Sequence, residues 1–231
     1  MYILVSHPRF GTTWVNQHIQ TYCLNQGMQQ PIPESATMEF LNDRFHHVNK
    51  LNGIDVPNLS WDEKVALLEM KREIGIECTY KVHAKCIKDK EWFNQFYKDW
   101  TVIKLDRKDL WRPFLSYCVQ RKLGWDPFLT HREESLKKRL RSFWIDTQFI
   151  DVWFDQYLEI DKVEGLTIYY EDLDEILLSS FFDIPKHPLK KMNINYDSYI
   201  FNYKEIKTAF QNKYNSVCQN RSQNRQVLHL G

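Results

Sequence analysis

The sequence predicts an α/β fold, with a mostly parallel sheet flanked by helices on both faces, in a single domain that spans residues 1–231. Four short apolar runs with strand character, residues 2–5, 76–82, 100–105 and 166–170, alternate with segments of helical periodicity. This alternation is typical of parallel sheets, because each parallel strand needs a crossover connection. The chain has 231 residues, 43% of them hydrophobic, which is enough for one sizeable core.

The helices between these strands are predicted from local signals. Residues 14–25 are apolar-periodic and are followed by Gly27, a residue type that is common just past a helix C-terminus. Residues 60–73 begin with Ser60 and have Glu63 three positions later, the pattern of a capping box. Further helices are predicted over residues 88–98, 110–122, 131–158, 172–182 and 205–214.

Two stretches depart from this regular pattern. Residues 27–59 contain three prolines and mix short apolar and polar fragments, so we expect a partly irregular excursion there. Ligands of open parallel sheets bind outside the carboxyl ends of the strands, and the excursion is therefore expected to cover the first loop and shape a substrate pocket. Residues 220–231 are mostly polar and are expected to form either a frayed tail or a flap.

Charge and cysteine usage narrow the class of protein. The net charge is only +1, so we expect no general attraction to nucleic acid or to a membrane surface, and any anion site must be local. The five cysteines form no Cys-x-x-Cys pair, which fits neither a zinc site nor a disulfide framework. The first strand begins at Tyr2, and no apolar run approaches the length of a membrane span, so a cytoplasmic protein is expected.

The segment after the first strand has the composition of a phosphate loop. Residues 6–14 read SHPRFGTTW, and an apolar-periodic helix is predicted to start near Thr12. Backbone N–H groups at a helix N-terminus lack internal partners and carry partial positive charge, so they suit a bound phosphate. Arg9 adds a fixed cation, and Thr12 and Thr13 add hydroxyl donors. The Gly-x-x-x-x-Gly-Lys-Ser/Thr loop of nucleoside triphosphatases is absent from this segment.

Residues 8–14 resemble the Pro-Lys/Arg-x-Gly-Thr-Thr-Trp loop of sulfotransferases. The resemblance implies a P-loop-like sheet and a site for the 5′ end of 3′-phosphoadenosine 5′-phosphosulfate (PAPS). The residues that it assigns to this site are Arg9, Gly11, Thr12, Thr13 and Trp14. An arginine at position 9 stays protonated, so it can stabilise the leaving phosphate but cannot give it a proton. Phe10 replaces the small residue usual in the family and either crowds the loop or walls the acceptor pocket.

A second resemblance lies in residues 106–117, which read DRKDLWRPFLSY. In sulfotransferases an arginine at the strand end and a serine about two helical turns later bind the 3′-phosphate of PAPS. This implies that Arg107 supplies a charge-assisted contact and Ser116 a neutral donor. The run, with Arg112 and the later pair at residues 124–125, is closest in pattern to the bacterial branch that includes trehalose 2-sulfotransferase. Pro113 departs from that pattern.

A third resemblance is the Tyr-Glu-Asp-Leu sequence at residues 170–173, similar to a signature found late in sulfotransferases. It implies that Tyr170 lies near the adenine of the donor. Glu171 or Asp172 is expected to cap the next helix. The C-terminal Arg-Lys-Gly element of cytosolic sulfotransferases is missing from this chain, and Arg221 is the candidate replacement.

The general base has three candidates. Residues 80–83 read YKVH and are similar to the Lys-Thr-His of cytosolic sulfotransferases, which implies that His83 is the base. The trehalose-type branch instead uses a glutamate after the first helix, which makes Glu39 the second candidate and Glu34 the third. Lys81 is positioned by the same motif to stabilise charge on the transferring sulfuryl group.

The sequence as a whole therefore predicts a sulfotransferase that moves a sulfuryl group from PAPS to a hydroxyl or amine of a small-molecule or glycan acceptor, in line and without metal. One alternative is a catalytically silent nucleotide- or glycan-binding module on the same fold. A P-loop kinase is a weaker alternative, because the loop that would place magnesium is missing. The identity of the acceptor and the oligomeric state stay open.

Overall fold

The structure is a computed structural model, and it describes residues 1–27, 41, 59–75, 81–123, 141–186 and 196–228. Its strands are β1 (Tyr2–Ser6), β2 (Lys81–His83), β3 (Thr101–Asp106) and β4 (Leu166–Tyr169). Its α-helices are α1 (Thr12–Asn25), α2 (Trp61–Glu73), α3 (Lys90–Phe96), α4 (Trp111–Lys122), α5 (Gln148–Leu158), α6 (Glu175–Phe182) and α7 (Tyr203–Leu228). Short 3₁₀ turns lie at Ala84–Cys86, Glu159–Lys162, Tyr170–Asp172 and Tyr196–Tyr199.

The four strands form one parallel sheet in the order β2-β1-β3-β4, which confirms the predicted α/β class. In β1 the side chains of Ile3, Leu4 and Val5 are all fully buried. Parallel strands are covered on both faces, so an unbroken apolar run is the pattern they require. All four strands lie within two residues of the predicted runs at each end that the structure describes.

Contacts along the chain divide it into two compact units, and the sheet belongs to the first, residues 1–108 and 156–190. Within this unit α1 packs against β1 and against α6. Tyr2 and Phe182 are part of this packing, with ring centroids 5.0 Å apart in an edge-to-face arrangement.

The predicted capping box of α2 is present, because Ser60 Oγ accepts from the Glu63 N–H while the Glu63 carboxylate accepts from the Ser60 N–H.

The second unit, residues 109–155 and 191–231, has an aromatic core. Phe114 of α4 packs against Trp153 of α5 and Phe210 of α7, with centroid distances of 5.6 and 4.9 Å. The α4 helix begins one residue later than predicted. The N-cap is Leu110, and Asp109, one residue earlier, accepts from the backbone N–H of Trp111 through Oδ1 at 3.0 Å.

Two expectations about the helices need correction or extension. The helix predicted over residues 131–158 is wrong for residues 141–147, where Phe143 forms an isolated bridge with Ile200. The Phe143 N–H donates to the Tyr199 carbonyl, and the Phe143 carbonyl accepts from Phe201, so this backbone is extended. The α7 backbone stays helical to Leu228, through most of the predicted tail or flap. No helix in the described ranges is long and apolar enough to cross a membrane.

Most of the predicted excursion over residues 27–59 lies outside the described residues, as do the predicted strand residues 76–80 and helix residues 131–140. Gly27 adopts a positive φ of 74° immediately past α1, which is the conformation expected of a glycine at that position. The α1 helix begins at Thr12, as the sequence predicts, and this places the helix N-terminus directly at the end of the first loop.

Candidate functional site

The candidate site lies where the connections of the sheet diverge. From β1 the chain passes to β2 on one side, whereas β3 is followed by β4 on the other side. Connections that leave neighbouring strands in opposite directions create a crevice outside the carboxyl ends of those strands, and this is where open α/β sheets bind ligands. The carboxyl ends of β1 and β3 therefore border the candidate site.

The loop after β1 is held in an unusual conformation. Arg9 has a positive φ of 73°, which non-glycine residues seldom adopt, and Gly11 has a φ of 85°. Gly11 is the N-cap of α1, and within the described residues no side chain caps this helix and its first turn contains no acidic residue. The positive end of the α1 dipole thus faces the end of the loop without a compensating carboxylate in that turn.

The inner side of this loop is packed against the protein. Phe10 is fully buried, with its ring centroid 5.3 Å from that of His7 and 5.8 Å from that of Tyr157. The Tyr157 hydroxyl donates to Oδ1 of the buried Asp106 at 2.9 Å. Phe10 is therefore an anchor that points into the core, which explains why a large residue is accommodated at this position of the loop.

His7 is buried and neutral. Its Nδ1–H donates to the Pro8 carbonyl at 2.9 Å, which fixes the hydrogen on Nδ1. Burial holds the pKa of His7 well below the usual value, and the nearby His83 and Lys85 lower the pKa further. The His7 ring therefore supports the loop as an uncharged group at neutral pH.

Arg107 lies at the carboxyl end of β3, where the sequence places it. Its guanidinium carbon is 4.1 Å from the ring centroid of Tyr170, and its side chain is only 13% exposed. The backbone N–H of Arg107 donates to Asp106 Oδ1 at 2.7 Å, the same oxygen that accepts from the Tyr157 hydroxyl. A cation stacked on an aromatic face gains from the negative potential of the ring.

Tyr170 joins this arginine to the first loop. A Cβ atom added to Gly11 would lie 2.3 Å from Cε2 of Tyr170, so the tyrosine ring packs directly on the glycine backbone. Trp14 contacts the same ring in an edge-to-face arrangement, with centroids 6.0 Å apart. Burial raises the pKa of the Tyr170 hydroxyl, and the charge of Arg107 offsets part of this rise, so the hydroxyl is neutral at neutral pH.

Glu171 and Asp172 do not cap the next helix, contrary to expectation. The N-cap of α6 is Asp174, whose side chain accepts from the Leu177 N–H at 2.6 Å. Glu171 instead faces Arg107, with Oε1 2.9 Å from Nε, although the N–H is not aligned for a hydrogen bond. Asp172 pairs with the Lys108 side chain. These contacts join the turn after β4 to the end of β3.

The remaining predicted donor residues lie on α1 or on helices of the second unit. Thr12 is buried and Thr13 is exposed at the start of α1. Ser116 lies on α4 and Arg221 on α7, and both helices belong to the second unit. The structure thus brings together predicted site residues from three distant segments, namely Gly11, Trp14, Arg107 and Tyr170.

Of the candidate bases, His83 lies at the carboxyl end of β2, and its Cα pairs in register with that of Ser6. Its position is therefore level with the last residue of β1 before the loop. Lys81 is buried at the start of the same strand and pairs with Leu4, two residues back from this edge. Glu34 and Glu39 lie outside the described residues.

Sequence reasoning assigned no role to several residues that support the site. They are His7, Asp106, Tyr157 and Lys108, together with the pairing of Glu171 to Arg107. One signal was available, since Arg107 and Glu171 have opposite charges and each follows one of two neighbouring parallel strands. Within the described residues, no group of three or more His, Cys, Asp or Glu side chains could hold a metal ion.

Comparisons with protein-family models, with curated proteins and with solved structures found no match for this chain.

Gly11→Ala is expected to destabilise the protein more than Gly27→Ala. Both glycines have positive φ, so both variants carry a backbone penalty of about 1–2 kcal/mol. The new Cβ at position 27 meets nothing within 4 Å, whereas at position 11 it would overlap the Tyr170 ring. This overlap should add about 1–3 kcal/mol. Urea unfolding of the two variants measures the difference, and equal losses would show that Tyr170 does not pack on Gly11.

His7→Asn is expected to make the unfolding free energy less sensitive to acid. The lowered pKa of folded His7 means that only the unfolded state takes up this proton as the pH falls below about 6.5. Stability is then lost toward lower pH, by at most about 1.4 kcal/mol per pH unit. Asparagine retains an N–H donor for the Pro8 carbonyl but does not titrate. Urea unfolding between neutral and mildly acidic pH should therefore give a shallower slope for the variant, and identical slopes would refute the assignment.

Proposed function

We propose that this chain is a PAPS-dependent sulfotransferase built on a P-loop-like sheet. The observation that carries the proposal is the meeting of three segments that each resemble a sulfotransferase motif. The ring of Tyr170, after β4, contacts both Gly11 of the first loop and Arg107 after β3 at the carboxyl edge of the sheet. Unrelated local resemblances have no reason to converge on one crevice, which is also where the topology of the sheet favours a ligand.

In this proposal the start of α1 binds the 5′ end of the donor. The N-terminal N–H groups of α1 and the hydroxyls of Thr12 and Thr13 are the donors, and Arg9 supplies the cation. The uncapped start of α1 supports this role, because the first turn contains no carboxylate to repel a phosphosulfate. The strained backbone of Arg9 is consistent with a functional loop, since such strain persists where the surrounding structure holds it.

Arg107 binds the 3′-phosphate in this proposal. Its guanidinium is held at one edge of the sheet by Tyr170 and Glu171, and little of the side chain is exposed. A preorganised arginine suits a phosphate, because its planar donors match the phosphate oxygens. The participation of Ser116 stays a prediction of the resemblance, as does the contact of Tyr170 with the adenine.

The transfer step proceeds in line. The acceptor oxygen or nitrogen forms a bond to the donor sulfur while the bond from sulfur to the bridging phosphate oxygen breaks. The leaving group is adenosine 3′,5′-bisphosphate, and its new negative charge is stabilised by Arg9 and by the α1 N-terminus. The proton of the acceptor passes to a base. His83 is favoured for this role by its place at the carboxyl end of β2, level with Ser6, while Glu39 and Glu34 stay alternatives.

Donor binding is tested first by calorimetry. Adenosine 3′,5′-bisphosphate should bind to the wild-type protein much more tightly than ADP, because only the first presents a 3′-phosphate to Arg107. Arg107→Ala should lose most of this preference, with an effect of about tenfold or more. Equal binding of the two nucleotides, or binding of neither, would refute the sulfotransferase proposal. Tight donor binding without transfer to any acceptor would favour the silent binding module.

Transfer itself is tested with PAPS carrying a radiolabelled sulfuryl group and with trehalose and a naphthol as acceptors. If His83 is the base, His83→Gln should reduce kcat about a hundredfold or more while the affinity for adenosine 3′,5′-bisphosphate stays unchanged. Glu39→Gln and Glu34→Gln are the matched variants for the competing candidates. Loss of turnover in one of these, with His83→Gln active, would transfer the role of base to that glutamate.

A further inference from the structure

The carboxylate of Glu171 lies against both the side chain of Arg107 and the backbone of Lys108. One carboxylate oxygen, Oε1, lies 2.9 Å from Arg107 Nε, and the other, Oε2, accepts from the backbone N–H of Lys108 at 2.9 Å. Both oxygens of the carboxylate are thus in contact with the segment that follows β3. Since one of these contacts is to the backbone, the carboxylate is fixed relative to the strand end as well as to the arginine side chain.

The arginine is consequently restrained on two sides. The guanidinium carbon lies over the Tyr170 ring, 4.1 Å from the ring centroid, and Glu171 lies at the Nε edge of the guanidinium. Tyr170 and Glu171 are adjacent in the 3₁₀ turn after β4, so a single turn supplies both restraints. A guanidinium restrained on one face and at one edge has less freedom before a ligand arrives, which reduces the entropy lost on binding.

The neighbouring ion pair provides an internal comparison. Lys108 and Asp172 are more than half exposed, whereas the side chains of Arg107 and Glu171 are only 13% and 28% exposed. Exposed pairs are screened by water and contribute little, while partly buried pairs are screened less. Glu171 therefore holds its basic partner more strongly than Asp172 holds Lys108, although the two acidic residues are adjacent and carry the same charge.

We infer that Glu171 is a positioning residue that orients Arg107 toward the 3′-phosphate of the donor and so determines the preference for 3′-phosphorylated nucleotides. The inference rests on the proposed function. Glu171 itself does not contact the nucleotide. It acts by holding the Nε edge of the guanidinium, which leaves the terminal nitrogens of Arg107 as the donors for phosphate.

The test uses two nucleotides that differ only in the 3′-phosphate, adenosine 3′,5′-bisphosphate and 5′-AMP. The dissociation constant of 5′-AMP divided by that of adenosine 3′,5′-bisphosphate measures the contribution of that phosphate, and this ratio exceeds one when the phosphate adds affinity. Glu171→Gln should reduce the ratio about tenfold, the scale of one charge-assisted contact, and leave the affinity for 5′-AMP unchanged. Glutamine keeps an acceptor oxygen for the Lys108 N–H but has no negative charge to hold the Nε edge of Arg107. Asp172→Asn is the matched control and should leave the ratio at the wild-type value.

A double-mutant cycle separates positioning from a general structural role. In the Arg107→Ala background, Glu171→Gln should have no further effect on the ratio, because there is no guanidinium left to orient. Thermal unfolding confirms that every variant compared is folded. An unchanged or increased ratio in Glu171→Gln would overturn the inference, as would an equal effect in both backgrounds. A wild-type ratio near one would overturn the proposed function and the inference together.

Discussion

The close packing of Tyr170 on Gly11 is the contact on which the rest of the candidate site depends. A side chain at position 11 would overlap the tyrosine ring, and the left-handed backbone there favours glycine independently. The ring so placed is the surface on which Arg107 stacks. One missing Cβ atom therefore lets the loop after β1, the end of β3 and the turn after β4 meet, although they are far apart in sequence.

The loop can hold a strained conformation because its inner side is firmly supported. Phe10 is fully buried against His7 and Tyr157, and the tyrosine hydroxyl is bonded to the buried carboxylate of Asp106. The same carboxylate accepts from the Arg107 N–H. Arg9, whose φ is positive, lies in the chain between the buried residues His7 and Phe10. Backbone strain persists in a folded protein where the surrounding structure holds it in this way. The support of the loop and the placement of the arginine thus share one buried group.

The sequence was most informative where structure depends on local or periodic signals. The parallel strands could be recognised as unbroken apolar runs, and the α2 capping box as Ser60 followed by Glu63. The errors occurred where a distant partner decides. Residues 141–147 have a helical pattern, but the Phe143 backbone pairs with residues beyond position 195. Glu171 precedes a helix, yet its partners follow β3, and only the sheet register brings them together.

Two ion pairs lie side by side at the ends of β3 and β4, which limits how these residues could attract the anion of the proposed function. Glu171 faces Arg107, and Asp172 faces Lys108, in a chain whose net charge is only +1. Charges that cancel in pairs exert little long-range attraction on a charged ligand, so these four residues contribute little to a steering field. In the proposed function, recognition depends instead on donors that are aimed before binding. In that case a nearby carboxylate that orients an arginine contributes more to selectivity than its negative charge removes from general attraction.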